Sequence, residues 1–174
     1  MQYPTVFHLI AAIFKQAGIP GLLIGGYAVN YYKVSRQTAD VDFLVSREDF
    51  DKVVESFKAE GYVVDELRKV FARLKNKTGP FPLDVDFLFA EPRVVEALGQ
   101  AGQEITIADQ KYRVPSLFHL IALKLHAIKQ QPQARLLTDL TDILALIRAN
   151  KLDPAAASFK ELCLTYGTEE LYRK

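Results

Sequence analysis

The sequence predicts an α+β fold: a mixed sheet with helices over residues 1–114, then helices over residues 115–174, all in one domain. Two observations carry that prediction. Short apolar runs and strictly alternating segments, bounded by Gly, Pro and Asn, crowd the first two thirds of the chain. The last third repeats apolar residues only at helical spacing. The loop at 130–133 between two such stretches is too short for a flexible linker, so sheet and helices are placed together.

The elements follow in order. Val6, Leu9, Ile10, Ile13, Phe14 and Ala17 keep the helical period, so residues 5–17 read as a helix that Gly18 ends. Residues 21–24 form a short apolar run, a buried strand that stops at Gly25-Gly26, and residues 27–32 read as a short helix. Residues 41–45 are the next strand. Ser46 and Asp49 then resemble a capping box for a helix that buries Phe50, Val53, Val54 and Phe57 and closes at Gly61. Strands at 62–64 and 70–75 are joined through a turn-rich link, 76–82, to a strand at 83–89. Residues 92–98 suggest a helix, and 105–107 with 111–114 a hairpin around Ala108-Asp109. Ser116 caps a helix to about residue 129, residues 135–149 make another, and Asp153-Pro154 reads as a cap with proline at the first helical position.

Composition bounds what the chain can do. With 22 basic and 21 acidic residues, the net charge of +1 gives no global field toward nucleic acid or an anionic membrane. One cysteine, Cys163, excludes an internal disulfide and a thiolate metal cluster, and a reducing cytoplasm is the expected location. Residues 1–17 lack a basic start and a small-residue cleavage site, so no signal peptide is read. No stretch reaches the roughly 20 apolar residues of a membrane span, and no membrane partner is expected.

The informative chemistry is acidic. Asp40 and Asp42 lie two apart on a predicted strand, which puts both carboxylates on one face while Val41 and Phe43 face the other. Taken alone, such a pair is most often the solvated side of an edge strand. A second pair, Asp84 and Asp86, repeats the spacing on the strand at 83–89, where Leu83, Val85, Phe87 and Phe89 take the opposite face. If the two strands are neighbours, three or four carboxylates converge, an arrangement that is costly without a cation. Mg²⁺ suits such a site, because it is hard, prefers oxygen and joins carboxylates to phosphates. Gly25-Gly26, between a strand and a helix, lets backbone N–H groups approach a phosphate, although tight turns use the same residues.

Gly25-Gly26, then Arg36-x-Thr38-x-Asp40-x-Asp42, then Val85-Asp86-Phe87-Leu88, resembles the nucleotidyltransferase superfamily related to DNA polymerase β. Within it, the chain resembles the small prokaryotic branch of abortive-infection and toxin–antitoxin nucleotidyltransferases. Val114 to Ala127 and Thr138-Asp139-Leu140-Thr141-Asp142-Ile143-Leu144 fit the same pattern, so the resemblance spans roughly residues 20–147. It implies the nucleotidyltransferase fold and transfer of a nucleoside monophosphate from a nucleoside triphosphate such as ATP to an acceptor hydroxyl. It implies two Mg²⁺ ions on Asp40, Asp42 and the third carboxylate, Asp86, which assists deprotonation of the acceptor. Asp84 suits that third position too; Asp86 is preferred on the Val85-Asp86-Phe87-Leu88 pattern. Gly25, Gly26, Arg36, Thr38 and Lys124 are the implied nucleotide-binding residues. The implied acceptor is a hydroxyl of RNA such as tRNA, of a protein, or of a small molecule such as an aminoglycoside, and a cognate toxin or antitoxin is an implied partner.

Two departures stand out. Gly26 occupies a position where many active members carry serine, and Thr138 one where many relatives carry lysine. The missing loop serine motivates an alternative reading: a catalytically degenerate nucleotide-binding or toxin–antitoxin interaction protein of the same fold. Other residues keep two readings each. Arg36 either binds phosphate or anchors the loop before the strand by pairing with an acid. Asp139 and Asp142 share a helical face and either support Lys124 or Arg36 or face solvent. Lys124, Lys129 and Arg135 offer at most a small basic patch toward RNA. Tyr27, Tyr31 and Tyr32 read as core more than as a base-stacking surface. His8, His119 and His126 are too scattered for a metal site.

Overall fold

The computed structural model describes residues 3–79 and 81–174. The link expected at 76–82 includes Pro80, and the segment 1–17 includes Met1 and Gln2; those three lie outside the described residues. The chain divides into two compact units. One holds the described residues up to Tyr27 together with Gln37–Pro115, the other Ala28–Arg36 with Ser116–Lys174.

The first unit carries seven strands: β1 (Leu22–Ile24), β2 (Asp40–Val45), β3 (Tyr62–Leu67), β4 (Phe71–Asn76), β5 (Asp84–Phe89), β6 (Gln103–Ile107) and β7 (Gln110–Val114). They form one mixed sheet in the order β3-β4-β5-β2-β1-β7-β6. β2 and β5 run parallel at its centre and pair Asp40 with Asp84, Asp42 with Asp86 and Phe43 with Phe87. Parallel central strands need cover on their apolar side. Helices α1 (Val6–Ala17) and α3 (Arg47–Ala59) supply it. Phe14 meets Phe43 edge-on at 4.9 Å, and Phe50 and Phe57 meet Phe87 at 5.2 and 5.7 Å. Such ring pairs add about 0.5–1.5 kcal/mol each beyond area burial. Val41, Phe43, Val85 and Phe87 are fully buried on this face, so the alternation forces the aspartates between them onto the other.

Short-range chemistry sets the helix ends. Thr5, Ser46 and Ser116 accept the backbone N–H groups of His8, Asp49 and His119 as N-caps. Gly18 closes α1 in the left-handed region at φ 65°. The hydroxyls of Thr5 and Ser116 also sit 2.9 Å from the ring nitrogens of His8 and His119, so both rings are tied to helix caps. Helix α4 (Pro92–Gln100) completes the first unit.

Helix α2 (Gly25–Tyr31) begins in the first unit and ends in the second. It starts at the glycine pair itself, two residues before the expected position, and Tyr32 beyond it is buried while Tyr31 stays exposed. The second unit holds α5 (Leu117–Gln130), α6 (Pro132–Ala149), α7 (Ala157–Tyr166) and α8 (Glu169–Arg173). Helix α6 starts earlier than its apolar period, because Pro132 takes the first helical turn. Asp153-Pro154 does not begin a helix: the Asp153 carboxylate accepts the Ala155 N–H in a local turn, and α7 starts only at Ala157. Val54 is half-buried rather than buried on α3. Among the described residues no helix is long and apolar enough to cross a membrane.

Candidate active site

Asp40, Asp42 and Asp86 each present a carboxylate oxygen to one point, all within 4.8 Å of one another. The parallel pairing of β2 with β5 brings this about. It places four aspartates on one face, and Asp84 lies outside the close group. Asp84 instead accepts the Asn76 N–H at 3.3 Å. The Thr38 hydroxyl sits 2.9 Å from the Asp40 carboxylate, where it donates, and so braces the first acid from the segment that precedes β2.

The glycine pair is shaped around these residues. Gly25 has φ 63°, and a β-carbon there would fall 1.9 Å from the Asp42 Oδ2. The carboxylate takes the room a side chain would need, and the backbone conformation independently favours glycine. A β-carbon on Gly26 would fall 2.6 Å from the Thr38 Cβ and 2.7 Å from its hydroxyl. The missing serine at position 26 is therefore matched to Thr38, whose side chain fills that space. Tyr27 packs edge-on against Phe7 at 5.0 Å. Burial pushes its phenol above the usual value, and the Asp40 charge adds to that.

Arg73 is the site residue that sequence reasoning missed. It stands opposite Asp86 across the β4–β5 ladder. Its Nε donates to Asp86 Oδ1 at 2.8 Å and its terminal NH2 nitrogen to Oδ2 at 2.6 Å, a bidentate fork. Asp86 is 3% exposed. Burial raises its carboxyl above the ordinary range, with the charges of Asp40 and Asp84 adding, while Arg73 pulls it back down. The signal in the sequence is Phe71-x-Arg73-x-Lys75, alternating with buried Ala72 and Leu74 just before Asp84-x-Asp86.

Lys124, Arg36, Asp139 and Asp142 belong to the second unit and form their own network. The Lys124 ammonium donates to Asp139 at 2.8 Å and to Asp142 at 2.7 Å, and Arg36 donates to the same Asp142 oxygen at 2.8 Å. Lys124, Asp139 and Asp142 are 7%, 4% and 5% exposed, so neither acid is a solvated face. Lys124 is thus no part of a surface basic patch. Arg36 is further fixed through its backbone, whose N–H donates to Asn30 and whose carbonyl accepts from it.

A family comparison decides what this architecture is. The chain matches, over residues 5–174, the family described as uncharacterised nucleotidyltransferase. This chain belongs to that nucleotidyltransferase family. Solved structures share its fold. ANT(2")-Ia, in complex with adenylyl-2"-tobramycin, is 16% identical with a TM-score of 0.63, covering 92% of this chain and 94% of that one. The lincosamide antibiotic adenylyltransferase LnuA, lincomycin-bound, is 17% identical with a TM-score of 0.54, covering 79% and 91%. The Megavirus polyadenylate synthase is 12% identical with a TM-score of 0.58, covering 85% of this chain but 31% of that one. No curated protein matches the sequence. In this member of the family Asp40, Asp42 and Asp86 form an acidic trio on paired central strands, a set of hard oxygen donors that suits a divalent metal.

Proposed function

We propose that this nucleotidyltransferase is magnesium-dependent and moves a nucleoside monophosphate from a nucleoside triphosphate to an acceptor hydroxyl. The convergence of Asp40, Asp42 and Asp86 carries the reading. The donors are all carboxylate oxygens, as a hard ion requires, and they lie close enough to share one ion or two. Bound there, Mg²⁺ would stabilise charge on the attacking and leaving oxygens of the displacement at phosphorus.

The chain's own residues do the rest. Asp40 and Asp42 bind, with Thr38 holding the Asp40 carboxylate in place. Asp86, whose two oxygens accept from Arg73, stands as acceptor for the proton of the attacking hydroxyl. Gly25 and Gly26 keep side chains out of the space beside Asp42 and Thr38, where a phosphate would approach the backbone. The phosphate contact expected of Lys124 would require its ammonium to leave two buried carboxylates, so we assign Lys124 to holding the second unit together. Cys163 is free and buried, a state that a reducing cytoplasm maintains, and we place the reaction there.

The test is transfer of label from each α-³²P nucleoside triphosphate, with Mg²⁺, to mixed tRNA, protein and aminoglycoside acceptors. Wild type labels one acceptor class, and Asp42→Asn does not. An Asp42→Asn protein that binds triphosphate and Mn²⁺ as tightly as wild type would show that the site lies elsewhere.

A further inference from the structure

We propose that a cleft at the start of β1, at the opposite end of that strand from the acidic trio, binds a small organic carboxylate: one apolar ring carrying a single negative charge. β1 runs from Leu22, in the cleft, to Ile24, which pairs with Asp42. The cleft lies wholly in the first unit, between the end of α1, residues 19–21, α4 and the β6–β7 hairpin. Phe14, Ile19, Leu22, Val95 and Tyr112 make its apolar walls. Its volume is about 260 Å³. That is room for roughly nine waters at about 30 Å³ each, or for one substituted ring. Drug-sized ligands fill about 300 Å³ or more, so the fit is to something smaller.

Charge selects the ligand. Lys15, in the last turn of α1, and Arg113, on β7, both line the cleft, and among the described residues neither forms an ion pair. Arg113 is held by backbone instead: its Nε donates to the Gly99 carbonyl at 2.8 Å and its terminal NH2 nitrogen to the Gly102 carbonyl at 3.1 Å. Both cations thus stand at helix C-termini, which attract positive charge without any ligand. The magnitudes do not cancel, because each helix end carries about half a negative charge and each side chain a full positive one. Lys111 and Glu104, also in the lining, pair with each other at 2.9 Å and add no net charge. About one positive charge is left beside apolar walls, the complement of a monoanion. Gly99 adds a second, independent observation. It lies inside α4 in ordinary helical backbone, where glycine is less stable than alanine. A β-carbon there would meet nothing within 4 Å, so packing does not demand glycine. Its effect is to leave the cleft wall open.

Benzoate, with benzamide as its neutral counterpart, tests this on the full chain by ¹H–¹⁵N correlation spectra in low-salt buffer. Benzoate should shift the amides of Gly21, Leu22 and Gly99 along a saturating curve, and benzamide should bind there about fivefold more weakly. Lys15→Gln should weaken benzoate about threefold, within the range of an exposed ion pair, and leave benzamide unchanged. Gly99→Leu, whose side chain fills the opening, should abolish binding of both. Should Gly99→Leu fail to fold, nuclear Overhauser contacts from the benzoate ring to the methyl groups of Leu22 and Val95 place the ligand instead. The proposal falls if the shifts do not saturate or scatter over the surface, if benzamide binds as tightly as benzoate, or if Gly99→Leu binds benzoate as wild type does. Shifts centred on Gly25 and Asp42 would put benzoate at the acidic trio and overturn it equally. None of these readouts depends on nucleotidyl transfer, so this site and the proposed reaction stand or fall separately.

Discussion

The Asp42 carboxylate occupies the space that a β-carbon on residue 25 would take, 1.9 Å from its Oδ2. Glycine at 25 is therefore a requirement of the acid it faces as much as of its own φ of 63°. Gly25→Ala is expected to cost about 1–2 kcal/mol in the left-handed backbone alone, and to push Asp42 off the trio. Urea unfolding together with Mn²⁺ titration would show both losses. Gly99→Ala is the control: it has open space around it, and its urea midpoint should hold or rise.

Lys124 offers a second test, because its ammonium serves two buried acids in place of a ligand. Lys124→Ala leaves Asp139 and Asp142 without their shared cation, and the expected loss is about 3–5 kcal/mol in urea unfolding. Lys124→Ala/Asp139→Asn should recover part of it, since one uncompensated charge is removed with the lysine. Unchanged stability in Lys124→Ala would return the lysine to the role of a phosphate ligand.

The fold was legible where chemistry is local. Ser46 and Ser116 announce their helices because a hydroxyl before an apolar period caps the first turn. The alternation of Leu83 to Phe89 shows which face the aspartates take, and the pairing of β2 with β5 makes two such faces one. What stayed hidden depends on pairing and competition. Arg73 meets Asp86 only through the β4–β5 register, which no residue in β4 specifies by itself. Asp153-Pro154 has the composition of a helix start, but the Asp153 side chain closes a turn on Ala155, and the helix waits until Ala157.

Asp86 makes stability depend on pH in a direction opposite to the usual carboxylate. Burial raises its folded-state value above the ordinary 3.8, so between those two values the folded protein binds more protons than the unfolded chain. Its stabilising contribution is present below 3.8 and is lost as pH rises through the raised value. In metal-free buffer, the stability of wild type minus that of Asp86→Asn should fall as pH climbs through that window and level off above it. Urea unfolding at steps from acid to neutral pH measures this, and a rising difference contradicts the assignment.

The turn between β6 and β7 is another place where residues and their backbone disagree. Ala108 and Asp109 have φ of 48° and 60°, and both are exposed between the paired ends Ile107 and Gln110. A two-residue hairpin turn with both residues at positive φ is the conformation that Asn-Gly adopts with least strain, whereas alanine pays for its β-carbon. Ala108→Asn/Asp109→Gly should therefore stabilise the protein by about 1 kcal/mol. The change touches no residue of the acidic trio, so Mn²⁺ affinity should stay as in wild type while the urea midpoint rises. A lowered midpoint would mean that the Asp109 side chain contributes more to the hairpin than its backbone strain removes.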